Sequence, residues 1–458
     1  MTTTRPTGGV ARTRIADLPA SFWWLWLAVL VTWVGRFVVP FLTLFLTSAV
    51  GMSTAQAGGV ISAYGAGVMV SALVGGVLAD RLGRKRTLIG SQLASIVVLV
   101  VIPQFVHQAA VLAPLLMAYG LVNGAGQPSI ATLVGDLVAP EHRRGAYSFN
   151  TWAVNLGYAI GPVLAGFLAH ADYALLFYGQ ASVVAVASVI VLLLVHDPYG
   201  HGLRRPTKGA AGVGRPSVED APYATGEPPE TELATTAQLR RPGLRAVLGD
   251  RVFLTFTATM FCYYCVYVQS TTTLPVVMAD QGLSSREYGY MLTLNGLLLC
   301  ALQVPSLRFL TTRPARSILV GFVLVTAIGM VVQSTADALW VYVVSVSLWT
   351  LGELGLHPTA QATAADLALT ELRGRYQGTY ALAFSGANMI APVIGGLVLD
   401  RFGHQVVWLL CSAVCVAVGG LLALASRRRD HRVVEVTSIN SRHNAVALPE
   451  PWPAAAGS

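Results

Sequence analysis

Charge is scarce in this sequence. Asp, Glu, Lys and Arg supply only 11% of its 458 residues against 54% hydrophobic ones, too few to clothe a soluble globule of this size. Cysteine is also scarce, and all five (Cys262, Cys265, Cys300, Cys411, Cys415) fall within apolar runs, which argues against a disulfide framework. The Cys262-Tyr263-Tyr264-Cys265 spacing mimics a redox or zinc motif, but nothing nearby completes a metal site, so it reads as helix packing. The sequence also lacks a nucleophile elbow, a phosphate loop and a metal-ligand cluster. An enzyme is therefore the least favoured class, and no cofactor or metal is expected.

What is present is a series of apolar runs, each long enough to cross about 30 Å of hydrocarbon at 1.5 Å per residue. They lie near 22–47, 57–79, 87–106, 109–137, 147–169, 172–195, 252–278, 286–309, 316–334, 338–366, 376–399 and 404–426. The first follows Arg5, Arg12 and Arg14 but is too long for a signal peptide, and no small-residue cleavage site follows it. Assigning alternate loops to one side gathers nearly all arginines and lysines there, leaving only Arg286 and Arg401 opposite. The positive-inside rule then predicts cytoplasmic termini in a bacterial inner membrane. The net charge of +8 suits anionic lipid headgroups and requires no nucleic-acid partner.

Residues 197–251 break the membrane pattern with Pro, Gly and charged residues, and read as a flexible cytoplasmic linker. The tail 427–458 has a similar look. The resulting division is a segment 1–21, a helical bundle 22–196, the linker, a second bundle 252–426 and the tail. The bundles are related: a shift of about 230 positions lays Pro128 on Pro358, Asp136 on Asp366, Arg143 on Arg373, Pro162 on Pro392 and Gly166 on Gly396. Parallel repeats of this kind place a solute route between the halves, near mid-membrane.

Between the second and third runs stands Gly76-Val-Leu-Ala-Asp80-Arg81-Leu-Gly83-Arg84-Lys85-Arg86. Its glycines permit a tight turn and its Asp80 can make charge-assisted bonds to helix ends. The pattern resembles the G-x-L-A-D-R-x-G-R-K-x signature of the major facilitator superfamily. The resemblance implies an all-α membrane fold of about twelve transmembrane helices in two pseudo-symmetric bundles of six. It also implies a conformational latch at Gly76, Asp80, Arg81, Gly83 and Arg84. Gly157, Gly161, Pro162 and Gly166 resemble the antiporter motif of its drug exporters; small residues there let helices meet backbone to backbone. The arginine expected before Gly124-Ala125-Gly126 in proton-coupled exporters is absent, with Tyr119 and Gly120 in its place.

Two charges fall near mid-depth, Arg36 in the first span and Glu353 in the tenth. Each costs on the order of 2.5 to 3.5 kcal/mol unpaired, so both read as functional. The resemblance places them on opposite sides of one central cavity. Burial favours the neutral form of a carboxyl and a nearby cation the charged form. Glu353 is thus the expected proton carrier, with Arg36 as its switch and His357, four residues on, as auxiliary. Trp33, Phe37, Asn123, Gln127, Tyr263, Tyr264, Tyr267 and Gln269 are expected to join Arg36 and Glu353 around a small-molecule substrate. Aromatic walls with few polar anchors suit amphipathic or cationic organic molecules.

The leading expectation is a monomeric, proton-coupled exporter of such compounds by alternating access. Proton-coupled peptide or metabolite uptake is the alternative. Gly352-Glu353-Leu354 with Pro358 resembles a signature of oligopeptide symporters, and Arg36-Phe37 the end of their E-x-x-E-R-F motif. Thr32 and Gly35 stand where its glutamates belong. A third reading is a transport-dead sensor or lipid-handling protein.

Overall fold

The computed structural model describes residues 18–139, 142–196, 244–369 and 372–446, apart from a few side chains within them. Most of the expected linker 197–251, most of the segment 1–21 and the end of the tail lie outside the described residues. Nine described helices are long and apolar enough to cross a membrane. Two more, α3 (Thr54–Leu82) and α12 (Ser285–Thr312), run for 29 and 28 residues. The longest of the nine, α15 (Arg373–Leu424), turns at Gly403, whose φ of 78° suits a residue without Cβ, and so comprises two helices. Each of the expected spans therefore has a helical run in its place. Val97, Leu193 and Ile328 are more than half exposed, at 62%, 71% and 56%, a surface that requires lipid rather than water.

The repeat is visible in the backbone. Helix α7 (Arg143–Ala171) begins at the residue matching the start of α15, and α8 (Ala174–Leu194) matches the part of α15 that follows Gly403. The turns entering α3 and α12 match as well. Gly51 and Gly282 both take left-handed backbone, followed by capping boxes of Ser53 with Gln56 and Ser284 with Glu287. The packing of α3 on α5 (Ala109–Ala125) in the first half has its counterpart in that of α12 on α14 (Leu339–Asp366) in the second.

The halves meet through two seams, α7 on α12 and α3 on α15. In the first, a Cβ on Gly289 would sit 2.6 Å from the Pro162 carbonyl oxygen, and one on Gly166 would sit 2.8 Å from that of Ser285. In the second, a Cβ on Gly58 would sit 2.4 Å from the Pro392 carbonyl oxygen, and one on Gly396 would sit 2.5 Å from that of Thr54. The four contacts are two pairs related by the repeat. Hydrogen bonds reinforce this end of the bundle, the one away from the termini. Asp400 accepts from the Ala55 amide at 2.9 Å, and the Ser285 hydroxyl donates to Gly166 at 3.2 Å. Toward the termini, Asn155 bonds Gln303 across the halves at 2.8 Å.

Three expected spans are broken rather than continuous. The first divides into α1 (Ala20–Val34) and α2 (Val38–Leu44), with Gly35, Arg36 and Phe37 outside either helix. Pro40 causes this, because it has no N–H for the Arg36 carbonyl. The Val38 amide is instead satisfied by Gln180 at 2.9 Å. The seventh divides into α10 (Arg251–Thr272) and α11 (Leu274–Asp280), again just before a proline, Pro275. The fourth gives α5 and α6 (Gln127–Leu137), parted at Gly126. The tail 427–458, expected to resemble the linker, is helical over its described part, which belongs to α16 (Ser426–Val446).

Gly289→Val should lower the melting temperature of the purified protein, by the equivalent of about 1 to 3 kcal/mol, because backbone cannot yield to the added methyls. Gly59→Val is the control, since a Cβ there meets nothing within 4 Å. Equal melting shifts for the two variants would contradict a tightly packed seam.

Candidate functional site

A cavity of about 250 Å³ lies between the halves. Its first-half wall carries Trp33 and Arg36 at the break in the first span, Tyr64 and Val68 of α3, and Tyr158 of α7. The second-half wall carries Tyr267 and Thr271 of α10, Asn295 of α12, Trp349 of α14, and Phe384 and Asn388 of α15. Aromatic rings predominate, with amides and hydroxyls between them.

Arg36 is held by neutral groups. Its guanidinium lies over the Trp33 ring, 4.5 Å from the centroid, and Tyr158 packs on that ring at 5.1 Å. The Tyr64 side chain hydrogen-bonds it, with Tyr119 and Tyr158 close by. Tyr119 is fixed in turn by Gln180, which donates to its hydroxyl at 2.7 Å. The helix break, its amide cap and the arginine's surroundings thus form one network.

Glu353 is one layer back from the cavity on the opposite side and only 8% exposed. It accepts from the Asn295 amide at 3.0 Å and from the Tyr267 hydroxyl, both on the cavity wall. Among the described residues no ion pair joins it to Arg36 or His357. His357 is instead ringed by Tyr263, Tyr264 and Tyr267, with centroids 5.7, 5.5 and 4.9 Å away. Its Nε2 is buried without a hydrogen-bond partner, as is Nε1 of Trp349 on the cavity wall. Arg36 therefore lines the cavity from the first half and Glu353 lies behind Tyr267 and Asn295 in the second, each stabilised within its own half.

Several expected wall residues lie elsewhere. Gln269 is a structural bolt: it donates to the Ala391 carbonyl at 2.9 Å and fixes α10 to α15. Asn123 and Gln127 line a separate void of about 30 Å³ inside the first half, where Asn123 reaches Tyr64 at 3.4 Å. Tyr263 and Tyr264 pack behind the wall, Tyr264 sharing a hydroxyl bond with Tyr380 at 2.8 Å. Phe37 is buried in the core of the first half. Sequence reasoning missed Asn295, Tyr64, Tyr158 and Trp349. Asn295 is the amide interrupting an apolar stretch of α12, a signal that a count of charges alone passes over.

Gly157 and Gly161 seat α7 on α1, where Cβ atoms would meet Trp33 and the Val34 carbonyl at 2.4 and 2.7 Å. Gly83, at φ 92°, makes the turn from α3 into α4 (Arg84–Val101). Arg84 then forms an ion pair with Asp136 at the end of α6. Lys85 caps the end of α8, donating to the Leu192 and Val195 carbonyls at 3.0 and 2.8 Å. Arg81 is exposed. Gly76 and Asp80 sit in the last turns of α3, and the surroundings of their side-chain positions lie outside the described residues.

Two pseudo-equivalent helical halves around an aromatic, sparsely polar cavity define a multi-pass membrane transporter. The chain belongs to the Major Facilitator Superfamily, whose profile matches residues 25–383 and 271–455. It is similar to the uncharacterized MFS-type transporter YqjV of Bacillus subtilis (strain 168), 26% identical over 91% of this chain and 96% of that one. It is 24% identical to a Na(+), Li(+), K(+)/H(+) antiporter of Planococcus maritimus, over 78% of this chain and 84% of that one. A shorter match, 35% of this chain and 41% of the relative, is 27% identical to the quinolone resistance protein NorA of Staphylococcus aureus. A crystal structure of the POT family transporter PepTSo shares the fold, with a TM-score of 0.71 at 16% identity over 90% of this chain and 99% of that one.

Asn295→Leu should cost about 1 to 3 kcal/mol of stability, because a buried carboxyl loses a donor. Thr350→Val should cost less, since it removes the 3.0 Å bond from Asn295 and the hydroxyl's own 2.6 Å bond to the Val346 carbonyl but leaves Glu353 served. Thermal unfolding of both variants checks the order.

Proposed function

We propose that this transporter exchanges protons for small, largely apolar or cationic amphipathic compounds, with Glu353 as the proton-carrying group. The observation that carries the reading is the hydrogen bonding of Glu353. It is buried, faces a cavity through Tyr267 and Asn295, and is held by neutral donors alone. Such a carboxyl can gain or lose a proton without breaking an ion pair, which a fixed structural pair could not do. The names of two relatives agree: one is an antiporter that exchanges cations for protons, the other a quinolone resistance protein.

Arg36 takes the role of a fixed positive pole on the far wall. A cation entering the cavity is repelled by Arg36 and drawn toward Tyr267 and Glu353, so substrate and proton compete for one side of the site. His357, with its Nε2 unpartnered inside three tyrosines, is the auxiliary acceptor. With the termini on the cytoplasmic side, the tightly packed seams form the outer gate and the cavity faces the cytoplasm. Gly83, Arg84 and Asp136 then belong to the latch that operates when that face closes.

Uptake of a zwitterion such as a peptide is the second reading. It is favoured by the charge arrangement, a cationic pole on one wall and a carboxyl behind the other, which would match a carboxylate and an ammonium group.

Everted vesicles carrying the protein test the first reading and intact cells the second. Antiport predicts that a cationic dye or drug releases protons from the acidified lumen, and that Glu353→Gln abolishes this while dye still binds. Symport predicts accumulation of dipeptide in intact cells under an imposed inward proton gradient. Proton release that persists in Glu353→Gln would sink the assignment of the carrier.

A further inference from the structure

A second cavity, of about 390 Å³, lies at the periphery of the second half, between the start of α10, the end of α15 and the start of α16. It has no connection to the transport reading. Arg251, Arg428 and Arg429 line it together with Phe256, Leu421 and Leu424. Arg429 is the unusual member. It is only 2% exposed, and both its Nη1 and Nη2 are buried without a hydrogen-bond partner.

The neighbouring acids do not answer that need. Asp430 meets only Nε of Arg429, at 3.6 Å, and its own side chain is 60% exposed. Asp250 is already engaged by Tyr376 at 3.0 Å, Arg432 at 3.4 Å and the Phe253 amide at 3.0 Å. Burial, partly offset by Asp430, pulls the Arg429 guanidinium below its ordinary value, and Arg316 adds to the pull. The Phe256 ring lies 5.9 Å from the guanidinium carbon, which supports the cation but accepts no hydrogen bond in the plane of the fork. Two buried donors of a rigid fork therefore require an acceptor with two oxygens.

The surroundings identify where that acceptor comes from. Arg251 opens α10 and Leu424 closes α15, so the groove stands where apolar span gives way to the polar face. Leu424 is 82% exposed and Leu421 48%, and both line the groove with the three arginines. We propose that this groove binds an anionic phospholipid, its headgroup phosphate on Arg251, Arg428 and Arg429 and its acyl chain against Leu421 and Leu424. The lipid would tie α16 to the transport bundle, since Arg428 and Arg429 belong to the first turn of that helix.

Native mass spectrometry of the full chain in detergent tests the site, with phosphatidylglycerol, phosphatidylcholine and inorganic phosphate as separate probes. Phosphatidylglycerol should be retained and phosphatidylcholine not, and Arg429→Gln should weaken retention about tenfold. If that variant fails to fold, Arg251→Gln with Arg428→Gln carries the test, because both side chains are exposed. Arg427→Gln, exposed and outside the groove, should retain lipid as the unaltered protein does. Unchanged retention in the double variant, or equal loss in Arg427→Gln, would overturn the site. Binding of inorganic phosphate as tightly as phosphatidylglycerol would overturn the lipid assignment.

Discussion

The structure depends on how closely backbone can approach backbone across the midline. Lipid gives no hydrophobic drive for two apolar helices to associate, so contact area and carbonyl dipoles must hold the halves together. Gly58, Gly166, Gly289 and Gly396 provide that by omission, each leaving room for a carbonyl from the other half. Because the seams are related by the repeat, neither half is a passive scaffold for the other. The two contribute equivalent surfaces, which is the condition for a rocking motion with no preferred stationary part.

Against that background the charges are placed economically. Arg36 sits where its helix is already broken by Pro40, so one irregularity serves two purposes. It frees backbone polarity near the cavity, and it brings a guanidinium onto a Trp33 ring and a Tyr64 hydroxyl. Glu353 lies on an unbroken helix and is reached only through Tyr267 and Asn295. The two charges thus differ in chemistry and also in place, since the repeat brings neither onto the other.

Most of the architecture was legible in the sequence because lipid enforces it through length and apolarity. The repeat was equally plain, since Pro162 with Gly166 and Pro392 with Gly396 recur without gaps. The interior was less so. Gln269 and Tyr267 are two residues apart on one helix, yet one bolts α10 to α15 and the other faces the cavity; only the rotation of the helix separates them. The break at Arg36 was hidden by an otherwise apolar run, although Gly35 and Pro40 flank it. Asn295 carries no charge, and its importance arises from what stands opposite it in space. The helix after Ser426 has the composition of a loop and holds its shape by docking, with Arg432 on Asp250.

The hydroxyl of Tyr288 illustrates what such packing allows. It lies 3.1 Å from the Pro40 carbonyl in one half and 3.2 Å from that of Ser270 in its own. One proton is offered to two acceptors. If the halves part, the hydroxyl gives up Pro40 but keeps Ser270, so no buried donor is stranded. A contact built on interchangeable partners costs less to part than one built on a unique bond, because its donor is never left without an acceptor.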